Sequence, residues 1–284
     1  MHKNSAILGA FVLTVFVVSS FAMAGDTPGA KRFLVCNTQA VASKKDVKPY
    51  IDGFGGYLAK KLGWEEGEYG VRFEGKRSAG IGAMTEWNPG FASVSLGLFL
   101  EARKSLPWKP LVVARMNGSV STNYRILVKK GSGGSLESLK GKTLSGNIMD
   151  DGPFLSKVVF AGAVEADSYF QLDNTKRPLR SIRKLAQGKI DAVLVDDLQF
   201  SSLKELPLFS ELEVAWESQP IPNLAMVYRP DVVSEKEARA FGQALIDMCT
   251  DSEGSKLCKT FGLEGFAFAD EVAMKAVIGL YETK

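Results

Sequence analysis

Residues 190–195 (Ile-Asp-Ala-Val-Leu-Val) constrain the fold of this chain more than any other segment. The run is apolar except for Asp191 and lacks the polar alternation of a half-exposed strand, so it reads as a strand buried on both faces. A strand of that kind needs helices covering its sheet. The segment before it supplies one: Leu179, Ile182, Leu185 and Ala186 recur at helical spacing, and Gly188 closes the helix. Asp191 is expected to bond backbone near the strand start, with ligand contact as the alternative. The same alternation recurs along the chain. Residues 31–36 read as a strand, followed by a helix that Pro49 opens and Gly63 ends, with Tyr50, Phe54, Tyr57, Leu58 and Leu62 on its apolar face. Gly53, Gly55 and Gly56 weaken this helix and let it pack closely on a sheet. Residues 111–114 and 124–128 read as further strands, the latter where the chain could cross between lobes. Ser234 and Glu237 form a capping box ahead of a helix whose apolar face is Ala238, Phe241, Leu245 and Met248. Strands alternating with helices throughout give an α/β architecture.

The first residues carry a different signal. His2 and Lys3 precede an apolar run over 6–18, and Ala22-Met23-Ala24 follows it, the layout of a cleavable export signal. The run falls short of the ~20 residues that span a bilayer, and no cysteine beside the cleavage site offers a lipid anchor. Cleavage is expected after Ala24, with export to the periplasm. Residues 25–284 exceed the size at which one core keeps growing, so two lobes are expected. The single histidine, His2, leaves with the signal. Without imidazole, Ser-His-Asp and Cys-His catalysis and most zinc sites are excluded. No catalytic residue, metal ligand or cofactor site is therefore assigned. The 35 basic and 32 acidic residues are interspersed without a basic stripe, which argues against a nucleic-acid partner.

Three cysteines remain in an oxidising compartment. Cys249 and Cys258 flank a turn and are expected to form a disulfide that clamps a helix–turn–helix corner; a pair of free thiols is the alternative. Cys36, in an apolar strand, reads as a small core residue.

Four segments together carry a family resemblance. Residues 135–142 (SLESLKGK), the helix-to-strand step at 185–196 (LAQGKIDAVLVD), Ile221-Pro222-Asn223, and Asp251-x-x-Gly254-x-x-Leu257 with Phe261-Gly262 and Gly265-Phe266 occur in an order that resembles type II periplasmic binding proteins. Among these, the chain is most similar to the phosphate/phosphite/phosphonate-type transport binding proteins. The resemblance implies two lobes, each a mixed sheet flanked by helices, joined by crossing hinge strands. It divides the chain into a first lobe (25–122 and 223–284) and a second lobe (123–222). It also implies a small-molecule ligand held in the cleft between the lobes, a monomer, and an ABC transporter permease as partner. A sensor feeding a membrane receptor, or a histidine-free exported enzyme, are the alternatives.

Three turns are expected to line that cleft. The first is Asn37-Thr38-Gln39, whose polar side chains suit a ligand or a local cap. The second is Trp87-Asn88-Pro89-Gly90, expected to lead into a helix, where the Trp either stacks on a ligand or anchors the turn. The third runs from Ser145 through Asn147 to Asp150 and Asp151. Relatives that bind phosphonates typically carry a Ser/Thr-rich turn at this third place. Two aspartates there oppose a simple oxyanion and suit an amine, although Asp151 followed by Gly152-Pro153 also reads as a helix N-cap. Asp196-Asp197 repeats the theme, one acid capping a helix and the other open to an amino group. Tyr124 is a further candidate contact, or a core tyrosine. The ligand expected from these residues is small and either organic or oxyanion-bearing; a zwitterion would set its acidic end on first-lobe amides and its amine near the aspartates. The intact mass of the exported protein should correspond to a chain beginning at Gly25; a mass that retains residues 1–24 would overturn the cleavage expectation.

Overall fold

The computed structural model describes residues 29–38 and 44–283; the expected signal at 1–24 and Gln39 lie outside them. In chain order the strands are β1 (Arg32–Cys36), β2 (Gly70–Glu74), β3 (Phe91–Ser93), β4 (Lys109–Arg115), β5 (Ser121–Thr122), β6 (Arg125–Lys129) and β7 (Thr143–Gly146). They continue with β8 (Gln171–Asn174), β9 (Ala192–Val195), β10 (Leu212–Glu217), β11 (Ile221–Pro222), β12 (Leu224–Tyr228) and β13 (Gly265–Phe268). The helices are α1 (Lys44–Leu62), α2 (Arg77–Glu86), α3 (Leu96–Ala102), α4 (Gly152–Phe154) and α5 (Ala166–Tyr169), then α6 (Pro178–Ala186), α7 (Asp197–Lys204), α8 (Glu235–Met248), α9 (Gly254–Thr260) and α10 (Glu271–Glu282).

Two mixed sheets result. The first has the order β13-β4-β12-β3-β1-β2, parallel across β3-β1-β2 and antiparallel elsewhere. The second has the order β10-β6-β9-β7-β8, parallel across β9-β7-β8 and antiparallel across β10-β6-β9. Strand β9 is buried at every position, as its sequence requires. Asp191 accepts a hydrogen bond from the backbone N–H of Thr143 at 2.9 Å, tying the start of β9 to β7. Between the two sheets the chain crosses twice, and the crossings pair as the antiparallel ribbon β5–β11.

The first lobe's core centres on Phe241 of α8, fully buried, with ring centroids 3.8 Å from Phe91 and 5.9 Å from Phe33. The capping box forms as the sequence indicates: Ser234 accepts from Glu237 N–H while the Glu237 carboxylate accepts from Ser234 N–H. Helix α1 departs from expectation by starting at Lys44 and carrying Pro49 inside it. A proline there removes one intrahelical N–H donor, and the chain tolerates that single loss near the helix start. Of its three glycines, Gly55 is the one the packing needs, because a Cβ would stand 2.4 Å from Val71 of β2.

The disulfide Cys249–Cys258 is present and joins the end of α8 to α9 with a Cα–Cα distance of 5.5 Å. Between them Gly254 lies so close to the Met248 carbonyl oxygen that a Cβ would approach it to 2.4 Å. Helix α10 shares one buried apolar cluster with Phe154, Leu155 and Val158 of the second lobe through Met274, Val277 and Tyr281. Lys157 reinforces that seam by donating to the carbonyl oxygens of Tyr281 (3.2 Å) and Thr283 (2.7 Å). Closing a loop of 9 residues' separation stabilises by about 2.5 kcal/mol in the chain-entropy picture. Cys258→Ser should therefore lower Tm by roughly 5–10 °C, and a melt unchanged from that of the oxidised protein would contradict this.

Candidate functional site

Ligands of open α/β sheets sit beyond the carboxyl ends of the parallel strands, where loops fan apart. Four such ends converge here on one cleft of about 500 Å³. Strand β1 delivers Asn37 and Thr38, and β3 delivers Ser93 through Gly97. From the second lobe, β7 delivers Ile148, Asp150 and Asp151, and β9 delivers Asp196 and Asp197. The crossing ribbon contributes Ser121, Thr122, Ile221 and Pro222, and Tyr124 follows it.

The cleft has two chemically distinct halves. Tyr50, Ile51, Phe54, Phe73, Phe261 and Phe266 make an apolar wall on the first lobe, with Phe54 and Phe261 edge to face at 6.3 Å. Opposite it stand four aspartates. Among the described residues that line the cleft, Arg77 is the one cation. Its Nη1 donates to Asp151 Oδ2 at 2.8 Å, its Nε donates to Glu101 Oε2 at 2.8 Å, and its Nη2 shares that Glu101 oxygen. Burial works against the Arg77 charge, but Asp151 and Glu101 outweigh it and hold its pKa above the ordinary value.

Each aspartate has a different environment. Asp197 takes the Arg125 guanidinium and accepts from the backbone N–H of Asn123 at 2.7 Å, so it braces the crossing. Asp196 caps α7, accepting from Gln199 N–H at 2.8 Å through Oδ1 in a reciprocal capping box. Burial raises its pKa above the usual carboxylate range. Asp151 is raised by burial and lowered by Arg77, with burial prevailing, and it also caps α4 through Phe154 N–H at 3.3 Å. Asp150 is exposed at the cleft. Burial, together with the charges of Asp196 and Asp151, pushes the Tyr124 hydroxyl up, so it stays protonated and able to donate.

Of the residues expected from sequence, Asn37, Thr38, Tyr124, Asp150 and Asp196 line this cleft. Gln39 lies outside the described residues. Asn147 is not among the lining residues, although its neighbour Ile148 is. Trp87, Asn88 and Gly90 are elsewhere. Their turn leads not into a helix but into β3, and so sits at that strand's amino end, away from the cleft. There Arg32 donates to the Trp87 carbonyl at 2.6 Å, Arg229 donates to Asn88 Oδ1 at 2.7 Å, and Gly90 N–H donates to Gly29 at 2.7 Å. The turn has a structural job, and the residues that reach the cleft are those at the other end of the same strand, Ser93 to Gly97. Arg77 and the apolar wall also escaped the sequence reading. Applying the carboxyl-end rule to each strand would have found Ser95 and Gly97; the wall comes from α1, β2 and the segment after α9, which no local pattern unites. Among the described residues no group of three or more His, Cys, Asp or Glu is placed to hold a metal ion, and no helix is long and apolar enough to cross a membrane.

Residues 56–273 match the family model of the ABC transporter, phosphonate, periplasmic substrate-binding proteins. No curated protein matches the chain in sequence. Solved structures share its fold at low identity. A Xanthomonas citri protein bound to ATP superposes with a TM-score of 0.71 at 12% identity, covering 89% of this chain and 97% of its own. A binding protein component of a phosphonate ABC transporter from Pseudomonas aeruginosa gives 0.63 at 16% identity, covering 88% and 84%. A Prochlorococcus marinus protein in complex with methylphosphonate gives 0.62 at 14% identity, covering 88% and 97%.

Cys36 lines the cleft yet is buried against Gly80, where a Cβ would meet its sulfur at 2.3 Å. Burial, and secondarily the charge of Glu74, pushes its thiol up to about 11. Since the thiolate is the nucleophile, iodoacetamide at pH 8 should leave Cys36 unlabelled in the folded protein and label it after denaturation; labelling of the native protein at the denatured rate would refute the assignment.

Proposed function

Because this chain belongs to the periplasmic substrate-binding proteins of ABC-type phosphonate transporters, we propose that its cleft captures an organic ligand with a cationic amino group and an apolar body. The protein hands that ligand, unaltered, to a transporter permease. In this reading the protein is a monomer, processed after Ala24. Its first lobe (25–122 and 223–284) and second lobe (123–222) close on the ligand about β5 and β11.

The observation that carries the reading is the composition of the cleft. A volume of about 500 Å³ is in the range of roughly 300–1,000 Å³ for sites that bury organic molecules and is far larger than a lone oxyanion needs. The aromatic wall offers contact to a hydrocarbon or ring. Asp150 and Asp196 face the space across from it, and Asp196 uses Oδ1 for capping Gln199, while the protonated Tyr124 hydroxyl adds a neutral hydrogen-bonding group. A primary ammonium, with three donors and no acceptor, fits this set. An acidic end on first-lobe amides, expected from sequence, finds the Gly97 surface already covered by Asp151.

Thermal-shift and calorimetric screening should single out amphipathic primary amines over methylphosphonate. Asp150→Asn and Asp196→Asn should each weaken amine binding about tenfold, or about 1.4 kcal/mol; asparagine still caps α7, so the second variant keeps its fold. Unchanged amine affinity in both variants would overturn the amine reading, and chemical alteration of the recovered ligand would overturn transport without catalysis. The pH dependence has a defined sign. Burial raises Asp196, so the carboxylate required for the cation is lost already above the ordinary carboxylate range as pH falls. Calorimetry should show amine affinity declining as pH is lowered toward that range and recovering fully on return to neutrality; affinity independent of pH would count against Asp196 as the partner.

A further inference from the structure

We propose that Asp151 sets the charge specificity of the cleft: its carboxylate occupies, against Arg77, the position a ligand oxyanion would need, and so closes a phosphonate-type cleft to phosphonates. The inference rests on the reading that this cleft is the ligand site, and it concerns what the cleft rejects.

Guanidinium groups are the side chains best suited to oxyanions, because their planar fork of N–H donors matches two oxygens at once. Arg77 is the one cation among the described lining residues, so an incoming oxyanion has a single charged partner. That partner is already engaged from both lobes. Glu101, at the end of α3 in the first lobe, accepts from Nε and Nη2, and Asp151, reaching across from the loop after β7 in the second, accepts from Nη1. The Asp151 side chain is only 7% exposed, against 21% for Arg77.

The first lobe is shaped to receive this carboxylate. Gly97 lies directly beneath it: a Cβ at that position would stand 2.0 Å from Asp151 Oδ2 and 3.1 Å from Cβ of Phe154. Any other residue at position 97 would collide with the acid. Gly97 therefore keeps open a space of carboxylate size beside a guanidinium, and the protein fills it from within. Asp150, Asp196 and Asp197 line the same cleft; Asp197 is offset by Arg125, and among the described residues the other two are not paired with a cation. A phosphonate thus meets a compensated arginine and a surplus of carboxylates, and like charges in a partly desolvated site repel strongly.

The test titrates methylphosphonate and inorganic phosphate into the wild-type protein, Asp151→Asn, and Asp151→Asn combined with Arg77→Met. Asparagine retains the cap on Phe154, and Tm reports whether each variant is folded. The expected result is no detectable anion binding by the wild type, a gain of at least tenfold in Asp151→Asn, and loss of that gain in the double variant. The inference is overturned if the wild type binds methylphosphonate as tightly as Asp151→Asn does, if folded Asp151→Asn shows no gain, or if the gain survives removal of Arg77. The outcome is separable from the amine reading. That reading fails when no amine binds the wild type, whereas the role of Asp151 is judged on anions alone and stands if the Arg77-dependent gain appears.

Discussion

The cleft depends on a ribbon of two two-residue strands. Strands β5 and β11 are the paired crossings between the sheets, and so short a ribbon orients the sheets only if it is held at its ends. Asp197 does this. Its side chain accepts from Asn123 N–H and binds Arg125, while its own N–H donates to Thr122 Oγ1 at 3.2 Å. On the other side, Asn123 Nδ2 donates to the Ser218 carbonyl at 2.7 Å, and the Ser218 hydroxyl accepts from Tyr124 N–H at 2.9 Å. The backbone N–H groups of Asn123, Tyr124 and Asp197 at this narrow crossing thereby gain side-chain partners in place of a longer ladder. Thr122, Tyr124 and Asp197 also line the cleft, so the crossing and the candidate cavity share supports.

That sharing explains why charge is segregated as it is. The apolar wall is built from α1, β2 and the chain after α9, all on the first lobe, whereas the aspartates come from the ends of β7 and β9 on the second. Strands β7 and β9 are fully enclosed at their centres and cannot carry charge there; Leu144, Ser145, Val193 and Leu194 are all buried. Their acids appear beyond the strand ends, Asp196 immediately after β9 and Asp150 and Asp151 four and five residues after β7, and helix caps make use of two of these carboxylates. Asp151 caps α4 and Asp196 caps α7. A cap fixes the orientation of its acid to within one hydrogen bond, and this turns two local helix signals into a defined electrostatic face.

Much of the fold was legible because its strongest signals are local. The step from Gly188 to Val195 encodes a helix end and a doubly covered strand within a few residues, and the Ser234–Glu237 box specifies a helix start by reciprocal hydrogen bonds. The cleft was only half legible. Asp150, Asp196, Asn37 and Thr38 follow strands and were found for that reason. Trp87 to Gly90 were misassigned because an aromatic beside Asn-Pro-Gly looks alike at either end of a strand, and only the direction of β3 separates the two. Arg77 was missed because its importance comes from Glu101 and Asp151, one at the far end of α3 and the other in the opposite lobe. Long-range charge pairing leaves no periodic trace.

The family supplies the architecture, and a handful of side chains at strand ends decides what the architecture accepts. Family membership alone argues for a phosphonate. In the reading proposed above the acids reverse that inference without disturbing the fold, because Asp151, Asp196 and Asp197 each have a structural duty that would keep them in place with no ligand at all. Asp151 illustrates the point. As the cap of α4 it must lie near Phe154 N–H; with Gly97 beneath it, the same geometry places its second oxygen on Arg77. Removing Arg77 alone would leave the buried Asp151 uncompensated, whereas neutralising Asp151 leaves Arg77 still paired with Glu101. The electrostatics are therefore asymmetric: the cleft sheds an acid more easily than it sheds its base, and the proposed preference for charge is one governed from the acid side.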